Sequence, residues 1–189
     1  LIQRQFREFL PTHVVHSAAS YKDPNDWVTD ALVNVIGTIN ILQASEIVGV
    51  KRLINFQTAL CYGRPTTVPI PIEHPCAPFT SYGVTKTAGE AFVAASSLPW
   101  VSLRLANVTG PRLAIGPIPT FYKKLKAGEP CTVSTAIRDF VDMSDFLSLM
   151  DCILTTTETG TFNVSTGEGH SIEEIFRLVA EYVGMPVAE

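Results

Sequence analysis

The regular alternation of short apolar segments with long helical ones constrains the fold of this chain more than any other feature. Such a pattern predicts parallel strands joined by crossover helices, and therefore an α/β fold built on a parallel sheet. The predicted strands are residues 13–19, 51–57, 100–105 and 161–165. The predicted helices are residues 27–48, 81–97, 120–128, 144–155 and a last helix that begins at Ser171, with Glu174 completing a capping box.

Composition and charge narrow the class of protein and of partner. The 189 residues are 46% hydrophobic and 17% charged, which is typical of one soluble domain with its own core. The net charge of −4 does not favour nucleic acid as a partner. The four cysteines lack CxxC spacing and any Cys/His metal pattern, which predicts reduced thiols in a cytoplasmic protein and no metal site. We also expect no membrane partner, because no apolar run approaches the length of a membrane span.

The segment TSYGVTK at residues 80–86 places Tyr82 and Lys86 four positions apart, at the start of a predicted helix. Four residues make about one turn, so both side chains would share a face. A nearby ammonium favours phenolate over phenol, and the pair would then move a proton to or from an alcohol. Taken alone, the spacing favours a structural interpretation, with a half-buried tyrosine beside a solvated lysine.

Thr58 favours the catalytic interpretation of Tyr82 and Lys86 over the structural one, because it follows the predicted strand 51–57. In a parallel sheet, ligands bind at the carboxyl ends of the strands. The Thr58 hydroxyl would hold the substrate oxygen from which Tyr82 takes the proton. The segment LRLANVTGPR ends the next predicted strand at the same edge. The context therefore favours the catalytic interpretation.

Seven motifs in order along nearly the whole chain resemble the extended short-chain dehydrogenase/reductase family, and specifically its nucleotide-sugar epimerases. The matching segments are HSAA at 16–19, NVIGT at 34–38, TALCYG at 58–63, YGVTK at 82–86, RLANVTGPR at 104–112, RDFVDMSD at 138–145 and FNVSTGEGHSIEE at 162–174. Within the family, the chain resembles the epimerase/dehydratase-like proteins of bacterial O-antigen synthesis.

The resemblance implies a Rossmann-like, doubly wound parallel sheet, NAD as the cofactor and a nucleotide sugar as the substrate. Residues 1–109 would form part of the NAD-binding domain. Residues 110–189 would combine a substrate-binding portion with returning Rossmann elements. The family's glycine-rich phosphate loop and the residue that selects NAD or NADP have no counterpart here and would precede Leu1. We therefore interpret the chain as an internal piece of a longer protein, inactive on its own.

The resemblance also implies roles for individual residues. Tyr82 would be the acid/base, Lys86 would lower its pKa and bind the nicotinamide ribose, and Thr58 would bind the sugar hydroxyl. The residues implied at the cofactor are Ala18, Ala19, Tyr82, Lys86 and Leu105. Those implied at the substrate are Thr58, Asn107, Pro117, Ile118, Phe121 and Arg138. A homodimer is implied through the helices at residues 27–48 and 81–97.

Two positions after Thr58 bear on the reaction. Dehydratases of the family carry an acidic pair there, whereas this chain has Ala59 and Leu60, which cannot transfer a proton. This favours epimerisation of a UDP-sugar over 4,6-dehydration or decarboxylation, although an acid elsewhere would restore those alternatives. A third possibility is a dinucleotide-binding regulator without turnover, which the complete Thr58, Tyr82 and Lys86 set disfavours.

Overall fold

The structure, a computed structural model, describes residues 1–185 and contains both parallel strands and helices, as the alternation predicted. Its strands are β1 (His13–His16), β2 (Arg52–Thr58), β3 (Trp100–Leu105), β4 (Asn107–Thr109), β5 (Ile137–Arg138), β6 (Phe140–Asp142), β7 (Gly160–Val164) and β8 (His170–Ser171). Its α-helices are α1 (Ile2–Phe9), α2 (Trp27–Asp30), α3 (Gly37–Val48), α4 (Ser81–Ala95), α5 (Pro117–Ala127), α6 (Met143–Thr155) and α7 (Ile172–Tyr182). The four C-terminal residues, numbers 186–189, lie outside the described part.

A four-stranded parallel sheet with the order β1-β2-β3-β7 forms the centre of the fold. Strand β2 lies between β1 and β3, and Thr58 at its end aligns with Leu105 at the end of β3. The carboxyl ends of these two strands therefore meet at one edge, as the sequence predicted. The α/β class with a parallel sheet is confirmed.

Two compact units divide the chain. The first comprises Leu1–Leu105 and Met150–Val164, and the second comprises Ala106–Leu149 and Ser165–Glu189. The first unit contains the parallel sheet with α1, α3 and α4. In the second, α5 packs against α7 around Phe121, Leu125 and Ile175. The chain thus leaves the first unit after β3 and returns to it at Met150, within α6. The predicted assignment of a cofactor domain and a substrate portion is a functional statement and stays a prediction.

The long helix predicted at residues 27–48 is present but not uniform. Between α2 and α3 the segment Ala31–Ile36 is π-helical. By length and composition the helix Trp27–Val48 is long and apolar enough to cross a membrane, so the expectation that no segment reaches this length was wrong. The helix carries the buried polar residues Asp30, Asn34 and Thr38, which form hydrogen bonds within the protein. Core helices of globular proteins also meet the length and composition test.

The first strand is shorter than predicted and ends at His16 instead of Ala19. The physical reason lies in its partners. The His16 ring pairs with the Thr38 hydroxyl at 2.9 Å, and the Asn34 amide pairs with the backbone of Ser20 through two hydrogen bonds of 2.8 and 2.9 Å. The Asn34 side chain therefore satisfies both backbone groups of Ser20, just after the predicted strand, so the chain there pairs with the long helix instead of a neighbouring strand.

Candidate functional site

The start of α4 is packed closely against the end of β2. Thr80 caps the helix, its hydroxyl accepting a hydrogen bond from the Gly83 amide at 3.1 Å. A Cβ added at Gly83 would lie 3.2 Å from the Leu60 carbonyl oxygen and 3.0 Å from Pro78 Cβ. Only glycine permits this approach without displacement of its neighbours. The close packing holds the first turn of α4, which carries Tyr82, against the residues after Thr58.

Thr58 occupies the junction between β2 and a 3-10 turn at Ala59–Tyr62. Its hydroxyl accepts a hydrogen bond from the Leu60 amide at 3.2 Å, which caps the turn. The Gln57 side-chain oxygen accepts from the Thr58 amide at 2.8 Å. Thr58 is therefore fixed in position, and its hydroxyl hydrogen can be donated to the Tyr82 phenol, with which it interacts, or to a ligand.

Tyr82 lies close to Thr58, as predicted, but its electrostatic environment differs from the expected one. Burial raises the pKa of the phenol, and Tyr21 and Asp30 raise it further, while interaction with the Thr58 hydroxyl lowers it. The Tyr21 ring packs edge-on at 6.1 Å between centroids. Lys86 does not contribute to this pKa, so the lowering expected from the spacing is not observed, because the phenol lies among uncharged and acidic neighbours.

Lys86 is buried, with 4% of its surface exposed, and is not the solvated lysine of the structural interpretation. Burial lowers its pKa from 10.5 to about 8, and Glu90 opposes the shift. None of the side-chain hydrogen bonds of residues 1–185 comes from its ammonium group, although that nitrogen is not one of the fully buried, unpaired atoms. Burial of most of the side chain disfavours the charged form, so a ligand with oxygen acceptors would stabilise it. Lys86 therefore fits a ligand that offers hydroxyl or other oxygen acceptors.

A buried histidine, His16, lies close enough to Lys86 to sense its charge. Burial, and secondarily the Lys86 charge, lowers the pKa of His16 to about 4, so the ring is neutral near pH 7. The Thr38 hydroxyl donates to the Asn34 carbonyl at 2.7 Å, which leaves its oxygen to accept from His16 Nε2–H at 2.9 Å. His16 is thus a satisfied interior residue with an assigned tautomer. The predicted cofactor residues Ala18 and Ala19 follow it in the segment that Asn34 holds, Ala18 exposed and Ala19 half-buried.

A buried ion pair anchors the far end of the same helix face. Glu90, one turn beyond Lys86, accepts hydrogen bonds from Ser102 at 2.6 Å and from Arg104 at 2.9 Å. Arg104 also donates to the Tyr62 hydroxyl at 2.9 Å, and Tyr62 donates to Asn163 at 2.7 Å. This network links α4 with β3, β7 and the turn after Thr58. The sequence analysis missed Glu90, although its four-residue spacing from Lys86 is visible in the sequence.

In the second unit, two predicted substrate residues lie in the open. Asn107 begins β4 and is exposed. Its side-chain amide donates to the Asp139 carbonyl at 2.9 Å. Arg138 is exposed in β5, and the hydrogen bond of its side chain within residues 1–185 goes to the Ile137 carbonyl at 2.9 Å. The Asp139 carboxylate accepts from the amides of Thr166 and Gly167 at 3.0 and 2.8 Å, so it acts as a structural partner.

The segment predicted to form a pocket wall is the first turn of α5. Pro117 starts the helix, and Ile118 lines a largely apolar cavity of about 370 Å³ with Tyr122. Phe121 does not line this cavity. It is 4% exposed and packs edge-on against Phe176 of α7 at 5.2 Å between centroids. Phe121 therefore belongs to the hydrophobic core between α5 and α7, whereas the next residue, Tyr122, lines the cavity.

The structure therefore places Tyr82 beside Thr58 at the carboxyl end of β2, with Leu105 at the end of the neighbouring strand and Lys86 one turn along α4, beside His16. No cluster of three or more potential metal-ligating side chains occurs in the described part of the chain.

Sequence reasoning also missed Asp30. The signal that could have found it is an acidic residue within an apolar helix, one turn before Asn34.

Comparison with known proteins gives the same assignment from independent information. The NAD dependent epimerase/dehydratase family matches residues 1–165. The crystal structure of the Bordetella bronchiseptica enzyme WbmG in complex with NAD and UDP is similar, with 67% identity and a TM-score of 0.93, covering 100% of this chain and 61% of that one. The UDP-glucose 4-epimerase of Thermus thermophilus, in complex with NAD, is 33% identical with a TM-score of 0.87, covering 97% and 65% respectively.

Among sequences, the UDP-glucose 4-epimerase of Corynebacterium glutamicum is 30% identical over 205 residues, covering 92% of this chain. The chain spans 61% of the length of that relative. With the family match over residues 1–165 and the paired tyrosine and lysine beside Thr58, the chain belongs to the NAD dependent epimerase/dehydratase family.

Proposed function

We propose that the whole protein is an NAD-dependent epimerase of a nucleotide sugar, a UDP-sugar inverted at C4 through transient oxidation to a 4-keto sugar. The observation that carries this proposal is the contact of Tyr82 with Thr58 at the carboxyl end of β2, with the buried Lys86 one turn along the same helix. The WbmG complex with NAD and UDP and the UDP-glucose 4-epimerases among the relatives support it.

The residues present fit NAD. The unpaired, buried Lys86 ammonium suits ribose hydroxyls, and Ala18 and Ala19 have side chains small enough for close approach of a ring system. Leu105 at the end of β3 would offer backbone groups to the carboxamide. When bound, NAD supplies the acceptor and donor of hydride.

The chain's own residues supply binding, orientation and proton transfer. Thr58 donates its free hydroxyl hydrogen to the sugar oxygen and orients it toward Tyr82. Tyr82 takes the hydroxyl proton as the sugar carbon is oxidised, and returns it when the ketone is reduced from the opposite face. Because Tyr82 has a raised pKa in the chain alone, we expect the Lys86 charge and the bound cofactor to be needed before it acts as a base. Asn107 and Arg138 would bind the diphosphate, for which a planar guanidinium is well suited.

The two residues after Thr58 favour epimerisation over dehydration. Ala59 and Leu60 begin the 3-10 turn and carry no group that removes a proton from C5 or protonates a departing C6 hydroxyl. The alternatives remain a 4,6-dehydratase or decarboxylase that uses an acid elsewhere, and a non-catalytic dinucleotide-binding regulator.

Product identity decides among these functions. The whole protein is incubated with UDP-glucose, UDP-N-acetylglucosamine and their uronic acids, and the products are assigned by NMR. An isomer inverted at C4 is expected, without net change in NAD. A 4-keto-6-deoxy sugar or released carbon dioxide would replace epimerisation with an alternative reaction. The absence of any product, with NAD bound, would favour the regulator.

We also propose a homodimer formed through the long helix Trp27–Val48 and α4. Large apolar side chains stand exposed on both helices, and such clusters mark association surfaces. They are Trp27, Val28, Leu32 and Ile36 on the long helix, with Val84 and Phe92 on α4. Light scattering of the whole protein at micromolar concentration is expected to give twice the chain mass. A monomer would contradict this proposal.

The setting that we propose is cytoplasmic synthesis of a surface polysaccharide. The four cysteines are free thiols in the structure, as they would be in a reducing compartment. Fractionation of the source cells, with the activity followed in the soluble fraction, tests this location.

A further inference from the structure

Asp30 is a buried acidic residue that the proposed chemistry leaves unused. It is 1% exposed. Its Oδ2 accepts a hydrogen bond from the Ser81 hydroxyl at 2.7 Å. Its Oδ1 is buried and has no hydrogen-bond partner in the part of the chain that the structure describes. An unpaired carboxylate oxygen in the interior is destabilising, so its presence calls for a functional explanation.

The position of Asp30 relates it directly to the catalytic helix. Asp30 ends α2, immediately before the π-helical segment, and Asn34 follows one turn later. Asp30 binds Ser81, and Asn34 donates to the Thr85 hydroxyl at 3.0 Å. Ser81 and Thr85 are the residues directly before Tyr82 and Lys86. Asp30 and Asn34 on the long helix thus hold Ser81 and Thr85 on α4. Each of these two residues directly precedes a member of the proposed catalytic pair.

This arrangement fixes the rotation of α4 about its axis. Neighbouring positions on a helix differ by about 100° in direction. Holding Ser81 on the long-helix side therefore determines where Tyr82 points. Bulges of π type frequently occur at functional sites, where they redirect side chains.

We propose that Asp30 is a positioning residue for Tyr82, anchoring the first turn of α4 through Ser81 and holding a carboxylate beside the phenol. The proposal rests on the proposed function in so far as Tyr82 is the acid/base, and it adds a residue to which neither the family motifs nor the relatives' names assign a role. The Asp30 carboxylate keeps the phenol protonated until substrate and cofactor are in place.

The electrostatics agree with this geometry. Burial is the largest cause of the raised pKa of Tyr82, followed by Tyr21, and Asp30 adds to the increase. The Thr58 hydroxyl opposes it. Lys86 lies one turn along α4 from Tyr82, and His16, on which the Lys86 charge acts, is kept neutral by burial and by that charge. Removing the Asp30 charge should therefore lower the pKa of Tyr82 and move the acid limb of the pH–rate profile to lower pH.

The test uses the whole protein with bound NAD and separates charge from hydrogen bonding. Asp30→Asn removes the charge but keeps an oxygen that accepts from Ser81. We expect it to lower the Tyr82 pKa, because the carboxylate charge that raises it is gone, as measured by ultraviolet difference titration against Tyr82→Phe. Ser81→Ala keeps the charge and removes the anchor. We expect kcat to fall roughly tenfold with KM within about twofold and the phenol titration unmoved. Asp26→Asn, the same substitution at an exposed position directly before the same helix, is the matched control and should change neither quantity.

An unmoved phenol titration in folded Asp30→Asn would overturn the proposal, and so would an unchanged kcat in folded Ser81→Ala. Because Ser81 is only half-buried, that second variant decides the question even if Asp30→Asn does not fold. Failure of the proposed function has a different signature: no nucleotide sugar would be converted by the wild-type protein, while the titration would still report whether Asp30 controls Tyr82.

Discussion

The two compact units place their candidate residues in contrasting environments. In the first unit, Lys86 is buried, Tyr82 and Thr58 are half-buried, and capping hydrogen bonds from Thr58 and Thr80 hold the surrounding backbone. In the second unit, Asn107 and Arg138 are exposed, and their hydrogen bonds within the described chain go to nearby backbone carbonyls.

This difference matches the different tasks of the two sets. Proton transfer depends on the position and pKa of one group, so its surroundings must be rigid before substrate arrives. A diphosphate is charged and well solvated, and surface cations can bind it without prior desolvation. Substitutions in the first unit should therefore change chemistry and stability together, whereas those in the second should change affinity alone.

The largest effect is expected at Tyr82. Tyr82→Phe in the whole protein should lower kcat by roughly 10²–10⁴-fold, the range for loss of a general acid–base group, because phenylalanine keeps the ring and removes the proton donor. Turnover and circular dichroism measure activity and fold. Tyr21→Phe, at the ring packed against Tyr82, is the control and should keep most of the activity. Near-normal turnover by Tyr82→Phe would refute its role as acid/base.

The next effect concerns stability and tests whether the first unit depends on its buried ion pair. Glu90→Gln removes a charge whose partner, Arg104, has only 12% of its side chain exposed. The uncompensated guanidinium should lower the free energy of unfolding by about 3 kcal/mol, measured by chemical denaturation. Arg177→Ala breaks the exposed pair with Glu173 in the second unit and should change it by less than about 0.5 kcal/mol. If the two substitutions lowered the free energy of unfolding equally, the buried pair of the first unit would be no more important for stability than the exposed pair of the second.

The next prediction is that the buried Lys86 ammonium lowers the free energy of unfolding of the cofactor-free protein, although Lys86 is needed for turnover. Its pKa is lowered to about 8 in the folded chain, so the unfolded chain binds more protons between that value and 10.5, and stability rises with pH through this window. Below it, the buried ammonium is destabilising. Lys86→Met in the cofactor-free protein should raise the free energy of unfolding near pH 7 by about 2 kcal/mol, while abolishing turnover.

The gain from Lys86→Met should disappear as the pH rises above 10.5, because lysine is then neutral in both the folded and the unfolded state. Denaturation at several pH values measures this. Lys51→Met, at an exposed lysine before β2, is the matched control and should show no such pH dependence. A loss of stability in Lys86→Met near pH 7 would contradict the account.

The smallest effect is expected for Arg138. Arg138→Met should raise KM for the UDP-sugar roughly tenfold, the loss of one charge-assisted contact. The free energy of unfolding should change by less than about 0.5 kcal/mol, because the side chain is exposed. Steady-state kinetics and denaturation measure both quantities. A change in kcat with KM unaltered would mean that the second unit takes part in the chemistry.

The sequence by itself determined the order of the elements and the position of the proposed catalytic pair, Tyr82 and Lys86. Alternating apolar and helical periods predicted the parallel sheet, since each element must bury one face. Strand β3 was predicted with its observed bounds, and Ser171 begins the last helix as its cap, accepting from the Glu174 amide at 3.0 Å. The meeting of Thr58 with Tyr82 followed from strand order, because carboxyl ends of parallel strands share an edge.

Only the tertiary structure decided the burial and charge environment of these residues. A four-residue spacing cannot say whether Lys86 faces water or the interior, and it faces the interior. The early end of β1 depends on Asn34, which lies 14 positions beyond Ser20, and the link of Asp30 to Ser81 spans 51 positions. Burial and pKa values arise from groups distant in sequence, so local patterns carry the topology of this protein while its chemistry is set by long-range contacts.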